Sequence, residues 1–261
     1  MPTAHQLMTN SEDIPIKVLN SRPDPMGAEL SDLLSIENIH SIDAPAIQNQ
    51  ALPLEQVAKQ SLSLSDLTEL KIEVYKYVNQ SDTVWLFISK SSVQFFQQFI
   101  QSINVQFSPK GNVIAVGDTT KQALLMLNKT LSVLTPEQAN SESLLLMQEL
   151  SDCQTLMLVK GEGGHGLISQ HVQDAGGNVI ELDLYQRQPK PFKIEQIIEW
   201  TESDCILATS VDIASSLFQN IECLPDENKQ DMLQTKPWIV LSDRIKQFLI
   251  AQGVNKHHIY V

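Results

Sequence analysis

Three glycines at positions 161, 163 and 166 form a G-x-G-x-x-G loop in the segment VKGEGGHG. The loop follows the apolar run LMLV, and Asp183 lies near the end of a second apolar run. This pattern is typical of a turn that binds a dinucleotide pyrophosphate. However, the loop does not open its domain, the second run continues past Asp183, and Gln170 stands where a small residue would pack. Three interpretations therefore stay open: a dinucleotide site, a tight turn without a ligand, or backbone N–H groups that bind carboxylates.

Hydroxyl and basic side chains recur where an apolar run gives way to a helical pattern. The hydroxyl clusters are Ser89, Ser91 and Ser92; Thr119 and Thr120; and Thr209 and Ser210. The basic residues are Arg22, Lys90, Lys160 and Arg244. Helix capping explains each hydroxyl cluster, but capping and ligand binding can coexist because a cap exposes neighbouring amides. Four basic residues at equivalent turns of an acidic protein favour a polyanionic ligand.

The segment LYQRQP places Tyr185 and Arg187 just before a proline-bearing stretch. A tyrosine at the end of a strand is usually an amphipathic residue at the rim of a sheet. Beside a cleft, the same hydroxyl can donate a proton or a hydrogen bond to a ligand. Both interpretations of Tyr185 stay open from the residues alone.

The composition narrows the classes of function. The formal net charge of −13 argues against nucleic acid or an anionic membrane as main partner, because both need a basic surface. The three cysteines form no CxxC pair, and Cys153 and Cys205 border apolar runs, so we expect buried thiols. The histidines lack ligand spacing, and no metal site is predicted. Since neither a signal-peptide pattern nor a bilayer-length apolar stretch occurs, we expect a cytoplasmic protein.

One local pattern recurs six times and must position these residues. A short run rich in Val, Ile and Leu ends in Ser, Thr or Gly, and an amphipathic helical pattern follows at once. The six units cover residues 16–30, 84–96, 112–125, 155–168, 205–218 and 238–249. Runs that are apolar on both faces are typical of parallel strands covered by helices on both sides. Weaker strands are predicted within 38–45, 177–186 and 257–261, and helices within 61–80 and 136–150.

Six strand–helix units in 261 residues fit two small three-layer α/β domains with parallel sheets better than one large sheet. Proline-bearing segments at 43–53 and 186–193 are the linker candidates. The prediction is a discontinuous domain of residues 1–43 plus 192–261 and a continuous domain of residues 52–186, with linkers at about 44–51 and 187–191. Ligands of such sheets bind beyond the carboxyl ends of the strands, where the recurring turns lie.

Taken together, the motifs resemble the uroporphyrinogen-III synthase family along nearly the whole chain. Arg22-Pro23 looks like the family's strand followed by R-P. FISKSSV (87–93) and AVGDTTKQAL (115–124) are similar to its F-T-S-x-N-A-V and A-V-G-x-x-T-x-x-x-L segments. Residues 158–187 resemble its R-G-x-x-G-R…V-Y-R segment, and ATS (208–210) and LSDRI (241–245) resemble its T-S and S-x-R-I turns. Each motif is short, and their common order and spacing carry the resemblance.

The resemblance implies a monomer of two similar flavodoxin-like domains, joined by a two-stranded linker, with the active site between them. It implies a hydro-lyase of tetrapyrrole (heme) biosynthesis that needs no cofactor. The implied reaction closes the linear tetrapyrrole hydroxymethylbilane to uroporphyrinogen III, with loss of water and inversion of ring D. The eight carboxylates of this substrate agree with the basic residues and helix starts. The preceding enzyme of the pathway is a second candidate partner.

The resemblance also implies roles for individual residues. Tyr185 matches the family's tyrosine in V-Y-R and is expected to donate a proton to the leaving hydroxyl. The expected substrate-binding residues are Arg22, Ser89, Lys90, Ser91, Ser92, Gly117, Thr120, Lys160, Gly161, Glu162, Gly163, His165, Arg187, Thr209, Ser210, Ser242 and Arg244. Lys160 and His165 stand where the family usually has arginine, and a lysine lacks the two-pronged geometry with which arginine binds a carboxylate.

Two alternatives belong to other functional classes. The replaced arginines are compatible with a non-catalytic module of the same fold that binds a tetrapyrrole or another polycarboxylate. The glycine loop is compatible with an NAD(P)-binding oxidoreductase.

Overall fold

The computed structural model describes residues 15–164 and 166–261, which form two compact units. Unit 1 contains the described residues up to Gln48 together with Gln188–Val261, and unit 2 is Asn49–Arg187. The chain enters unit 2 within the strand Ile47–Ala51 and leaves it within the strand Asn178–Pro189. The segments expected to link the domains therefore lie largely in these two strands.

The strands are β1 (Lys17–Asn20), β2 (His40–Asp43), β3 (Ile47–Ala51), β4 (Thr83–Phe87), β5 (Val113–Ala115), β6 (Val133–Leu134), β7 (Thr155–Gly161), β8 (Asn178–Pro189), β9 (Cys205–Ala208), β10 (Trp238–Val240) and β11 (Ile259–Tyr260). The helices are α1 (Met26–Ile36), α2 (Leu54–Leu62), α3 (Leu67–Asn79), α4 (Lys90–Ser102), α5 (Asp118–Leu127), α6 (Ser141–Leu145), α7 (Gln148–Ser151), α8 (Leu167–Asp174), α9 (Ile194–Trp200), α10 (Val211–Ile221), α11 (Asp226–Gln234) and α12 (Asp243–Ala251). A short 3-10 helix, Lys256–His258, precedes β11.

Unit 1 is built on a five-stranded sheet in the order β2-β1-β9-β10-β11, and the neighbouring strands are parallel. Numbered within the unit, this is the flavodoxin order 2-1-3-4-5. Its core contains the fully or almost fully buried side chains of Trp200, Trp238 and Leu217. The parallel α/β sheet expected from the sequence is confirmed here.

Unit 2 is built on a six-stranded sheet in the order β6-β5-β4-β7-β8-β3. From β4 to β8 the neighbouring strands are parallel, and their order within the unit is 3-2-1-4-5. Along β7, Met157 and Val159 pack into one apolar cluster, whereas Leu156 and Leu158 pack into another. Since successive side chains point to opposite faces, the sheet is covered on both faces, as its continuous apolar runs predict.

All six predicted strand–helix units are present, but several boundaries differ from expectation. The helix predicted within 61–80 is confirmed as α3, but it begins only at Leu67, where Asp66 accepts hydrogen bonds from two amides of the first turn. The helix predicted within 136–150 is two short helices, interrupted at Met147 in an extended conformation. Near α1, the carboxylate of Asp24 accepts a hydrogen bond from the Ala28 amide. However, Pro25 and not Asp24 is the residue that directly precedes the helix.

The three cysteines differ in access, which gives a direct chemical test of the fold. Cys153 and Cys205 are buried, as predicted, whereas Cys223 is exposed. Burial raises the pKa of both the Cys153 and the Cys205 thiol, so little reactive thiolate forms at neutral pH. We expect a maleimide to modify Cys223 rapidly in the native protein and the other two only after unfolding. Mass spectrometry of the labelled peptides checks this, with Cys223→Ser as control. Rapid native labelling of Cys153 would contradict the fold.

No helix within the described residues is long and apolar enough to cross a membrane.

Candidate active site at the carboxyl ends of the strands

The crossover connections of unit 2 run in opposite directions from β4, which pairs with both β5 and β7. The carboxyl ends of β4 and β7 therefore form a topological switch point, where open α/β sheets bind ligands. Two predicted features meet at this edge. They are the serine turn between β4 and α4, and the glycine loop between β7 and α8.

The serine turn is a reciprocal helix cap. The Ser89 hydroxyl accepts the backbone N–H of Ser92 at 3.0 Å, and the Ser92 hydroxyl accepts that of Ser89 at 3.2 Å. The cap fixes the first turn of α4 and leaves the backbone N–H groups of Lys90 and Ser91 without partners inside the helix. These amides, at the positive end of the helix, can bind an anion.

A β-bulge determines the direction of Tyr185. Lys160 pairs with Asp183, but the next residue, Gly161, pairs with Tyr185, so Leu184 is an extra residue in β8. Side chains two apart on a regular strand share a face, which would place Tyr185 beside Asp183. The extra residue turns Tyr185 to the opposite face. There it joins the apolar cluster beneath α4.

Three contacts hold the buried Tyr185 side chain. Its ring stacks on Phe95 of α4, with the ring centroids 4.6 Å apart. Its hydroxyl lies 3.3 Å from the Ser89 hydroxyl, within hydrogen-bonding distance. On the side of β7, a Cβ at Gly161 would lie 2.5 Å from the Tyr185 ring, so only glycine leaves space for it. The structure thus brings the predicted proton donor to the serine turn.

The glycine loop is shaped by residues in the left-handed backbone region. Gly163, Gly164 and Gly166 have φ values of 87°, 117° and 66°. Such values favour glycine, because a Cβ would be strained. Glu162 is exposed and donates its backbone N–H to the carbonyl of Tyr185 at 2.8 Å. The predicted contact at His165 lies outside the described residues.

Lys160 is buried inside unit 2 rather than displayed in a turn. Its ammonium lies 3.0 Å from Glu181 Oε2 and 2.8 Å from Asp183 Oδ1, and it donates to the Gly163 carbonyl at 2.9 Å. Burial works against its charge, but hydrogen bonds to Asp183 and Glu181 outweigh that cost and raise the pKa of Lys160. Asp183 therefore pairs with a lysine in the middle of β8, whereas the acid of a dinucleotide site binds a ribose.

The two acids of this cluster titrate differently. Burial raises the pKa of Asp183 above its usual range, although Lys160 acts to lower it. Burial also acts to raise the pKa of Glu181, but hydrogen bonds from Ser169 and Lys160 outweigh it, so the pKa of Glu181 is lowered. The Glu181 carboxylate is thus held ionised beside the buried Lys160 ammonium, as expected for an ion pair.

Unit 1 has its own switch point, between β1 and β9. The buried Ser21 hydroxyl donates to the Leu207 carbonyl and ties the two strand ends together. Arg22 follows in the turn, with its backbone N–H bound to the side-chain oxygen of buried Asn20 at 3.2 Å. After β9, Ser210 caps α10 by accepting the Ile213 amide at 3.2 Å. At this edge the half-buried Arg22 follows β1, and a capped helix start follows the neighbouring β9.

The remaining predicted contacts are placed in different surroundings. Ser242 precedes α12 without a side-chain cap bond, and Arg244 is exposed in the first turn of that helix. Arg187 is exposed near the end of β8. The other predicted residues are Gly117, which precedes α5; the buried Thr120 and Ser92; and Thr209, which is half-buried before α10.

A comparison with known protein families adds an independent observation. Residues 39–259 match the sequence model of the family described as Uroporphyrinogen-III synthase HemD. The chain belongs to this family. The family expected from the order of the short motifs is thereby confirmed, and the match extends across both units.

Individual relatives of this uroporphyrinogen-III synthase family member are distant. A uroporphyrinogen-III synthase of Chlorobaculum parvum is 27% identical over 148 residues, which cover 52% of this chain and 58% of that protein. A uroporphyrinogen-III synthase of Proteus mirabilis is 24% identical over 175 residues, which cover 66% of this chain and 80% of that protein. The chain thus spans less than two thirds of the length of the Chlorobaculum relative.

A solved structure agrees in fold. A mutant uroporphyrinogen III synthase of Thermus thermophilus superimposes with a TM-score of 0.50 at 15% identity, covering 94% of this chain and 92% of that one. At this identity the likeness concerns the fold, which is the two-domain α/β class predicted from the sequence.

Sequence reasoning missed several residues of the site. The sequence pattern assigns no role to Glu181 and indicates Asp183 only as the acidic residue of a dinucleotide site. A signal was present, because two acids two residues apart in a strand covered on both faces require a buried cation. Phe95 had no such signal, since any apolar residue of α4 can serve the core. Asn20 likewise looked like an ordinary strand end.

For this family member, we expect Ser89→Ala to have two effects. Loss of the helix cap should lower the free energy of unfolding by about 1 kcal/mol. Loss of the partner of the Tyr185 hydroxyl should also slow any reaction that uses this hydroxyl. Chemical denaturation and steady-state kinetics measure the two effects separately. Asn140→Ala removes the cap of α6 and should cost similar stability without slowing turnover. Equal slowing in both variants would contradict the role of the serine turn.

Proposed function

We propose that this chain is a uroporphyrinogen-III synthase, a hydro-lyase that cyclises hydroxymethylbilane to uroporphyrinogen III. The family match across residues 39–259 carries the proposal. The names of the Chlorobaculum and Proteus relatives support it. Because hydroxymethylbilane also closes spontaneously, to the I isomer, transfer from the preceding enzyme of the pathway forms part of the same proposal.

The chemistry of the strand ends supports a polycarboxylate substrate. The amides of Lys90 and Ser91 at the start of α4 suit a carboxylate, as do the backbone groups around Gly163. In unit 1, Arg22 and Arg244 offer guanidinium groups, which bind carboxylates through two parallel hydrogen bonds. Such local groups can bind an acidic substrate even though the whole chain carries a formal net charge of −13.

Ten further positions belong to the proposed binding set, by their match to the family motifs or their place at the turns. They are Ser89, Ser92, Gly117, Thr120, Gly161, Glu162, Arg187, Thr209, Ser210 and Ser242. Of these, Ser92 and Thr120 are buried and act through the shape of their turns. Lys160 is not in the set, because its ammonium is engaged within unit 2.

In the proposed mechanism, the pyrrole nitrogen of ring A supplies the electrons that expel the hydroxymethyl oxygen. Tyr185 donates its proton to that oxygen, which leaves as water, and an azafulvene cation remains. The substituted carbon of ring D attacks this cation and gives a spiro intermediate. The bond between this carbon of ring D and the bridge to ring C then breaks, which leaves an azafulvene cation on ring C. The free carbon of ring D attacks that cation and loses its proton, which returns to the Tyr185 phenolate and completes the inversion.

The position of Ser89 supports Tyr185 as the donor. The Ser89 oxygen accepts the Ser92 amide, so its own hydrogen is available for the Tyr185 oxygen 3.3 Å away. In this arrangement the phenolic hydrogen is free for the substrate. The protein must also hold the flexible linear tetrapyrrole in the geometry for ring closure. Such positioning by itself accelerates a reaction strongly.

The test supplies freshly prepared hydroxymethylbilane to the purified protein and separates the product isomers. The III isomer supports the proposal. Formation of the I isomer alone rejects it, and saturable binding without the III isomer then indicates a non-catalytic binding module. A saturable change in NAD(P)H fluorescence would instead indicate an oxidoreductase.

A further inference from the structure

The ammonium of Lys160 is already surrounded by oxygen atoms of unit 2. An ammonium carries three N–H donors. Three oxygens, those of Glu181, Asp183 and the Gly163 carbonyl, lie 2.8 to 3.0 Å from it, and the Gly161 carbonyl lies 3.5 Å away. The residue is only 7% exposed. A direct contact with a substrate carboxylate would require one of these contacts to break and would leave a partly buried acid unpaired.

The three contacts join elements that carry the proposed chemistry. Gly163 belongs to the glycine loop. Asp183 lies immediately before the bulge that turns Tyr185 toward Ser89. Lys160 itself precedes Gly161, on which the Tyr185 ring rests. A single ammonium therefore fixes the loop on one side and the register of β8 on the other.

We propose that Lys160, clamped by Glu181 and Asp183, is a positioning residue that sets the glycine loop and the direction of Tyr185 and does not bind substrate. This inference rests on the proposed function for its kinetic consequence. Its structural consequence, an ordered loop, is independent of any activity. The lysine at this position then has a role of its own, distinct from the carboxylate contact of an arginine.

Asp183→Asn separates positioning from substrate contact. If Lys160 positions the loop, weakening the clamp lowers kcat by about 10-fold to 100-fold, the range expected for small misplacements, while KM changes little. If Lys160 binds a substrate carboxylate, Asp183→Asn frees the ammonium for the substrate, and KM falls with kcat maintained. Glu181→Gln follows the same logic. Both variants retain Lys160 and one carboxylate, so the ion pair is weakened rather than abolished.

Lys160→Met completes the set. Positioning predicts a loss of kcat with little change in KM, whereas substrate contact predicts a large rise in KM. The matched control is Lys236→Met, which removes a shielded lysine paired with Asp231 at the amino end of β10. Its kcat and KM should equal those of the wild type.

Hydrogen exchange gives the readout that does not depend on activity. Amides of residues 161–164 should exchange at least about 10-fold faster in Asp183→Asn than in the wild type, because exchange reports local opening. Unchanged exchange, or a lower KM at full kcat, overturns the inference. If the wild type forms no III isomer, the proposed function fails while faster loop exchange still supports the clamp.

Discussion

Replacing Tyr185 by phenylalanine should lower kcat about 100-fold, at the lower end of the range for general acid catalysis. The change removes only the hydroxyl that lies 3.3 Å from Ser89. The stacking on Phe95 and the contact with Gly161 remain, because both involve the ring. Binding of the substrate should therefore change little, and KM should stay close to the wild-type value. Steady-state formation of the III isomer measures both constants.

Tyr75→Phe provides the matched control, since Tyr75 is an exposed tyrosine on α3. This control should retain full activity. As Tyr185→Phe slows enzymatic closure, spontaneous closure should compete and the I isomer should accumulate. A Tyr185→Phe variant that turns over at full speed would remove Tyr185 from the role of proton donor.

The second large effect is expected for Gly161→Ala. The backbone at Gly161 is not left-handed, so the effect is purely steric. The new Cβ would lie 2.5, 2.7 and 2.8 Å from three atoms of the Tyr185 ring. Overpacking of this kind costs about 1–3 kcal/mol of stability. Relief requires the ring to shift, which disturbs the 3.3 Å contact between its hydroxyl and Ser89, so kcat should fall as well.

A double-mutant cycle identifies the cause. In a Tyr185→Ala background the ring is absent, and Gly161→Ala should have little further effect on the free energy of unfolding. Neighbouring residues that act on each other deviate from additivity in this way. If Gly161→Ala is equally destabilising with and without the ring, the clash with Tyr185 is not its cause.

The overall architecture could be predicted because its signal is repeated. Six apolar runs, each followed at once by a helical pattern, predict parallel strands regardless of the details of any one unit. The helix caps at Ser89 and Ser210 could also be predicted, because the hydroxyl of a serine that starts a helix has few hydrogen-bond partners other than the amides of the first turn.

The details of the site could not be predicted, for physical reasons. The bulge in β8 depends on the pairing of two strands, and alternation along β8 alone would put Tyr185 on the face of Asp183. The partners of Lys160 likewise depend on register. From the sequence, a lysine at the end of a strand looks the same whether it faces a ligand or two partly buried acids.

The strand order also decided between interpretations of the glycine loop. In a dinucleotide-binding domain the glycine fingerprint follows the first strand. In unit 2 the first strand of the parallel series is β4, and it is followed by the serine turn. The glycine loop follows β7, the fourth strand, and Asp183 pairs with Lys160. The strand order and the pairing of Asp183 therefore argue against a site for a dinucleotide pyrophosphate.

The isomer ratio of the product formed from hydroxymethylbilane tests the central claim most directly. The wild type and Tyr75→Phe should give predominantly the III isomer, and Tyr185→Phe at the same concentration should give mainly the spontaneous I isomer. The I isomer alone from all three proteins would contradict the assignment of the reaction, and the III isomer from all three at equal rates would contradict the role of Tyr185.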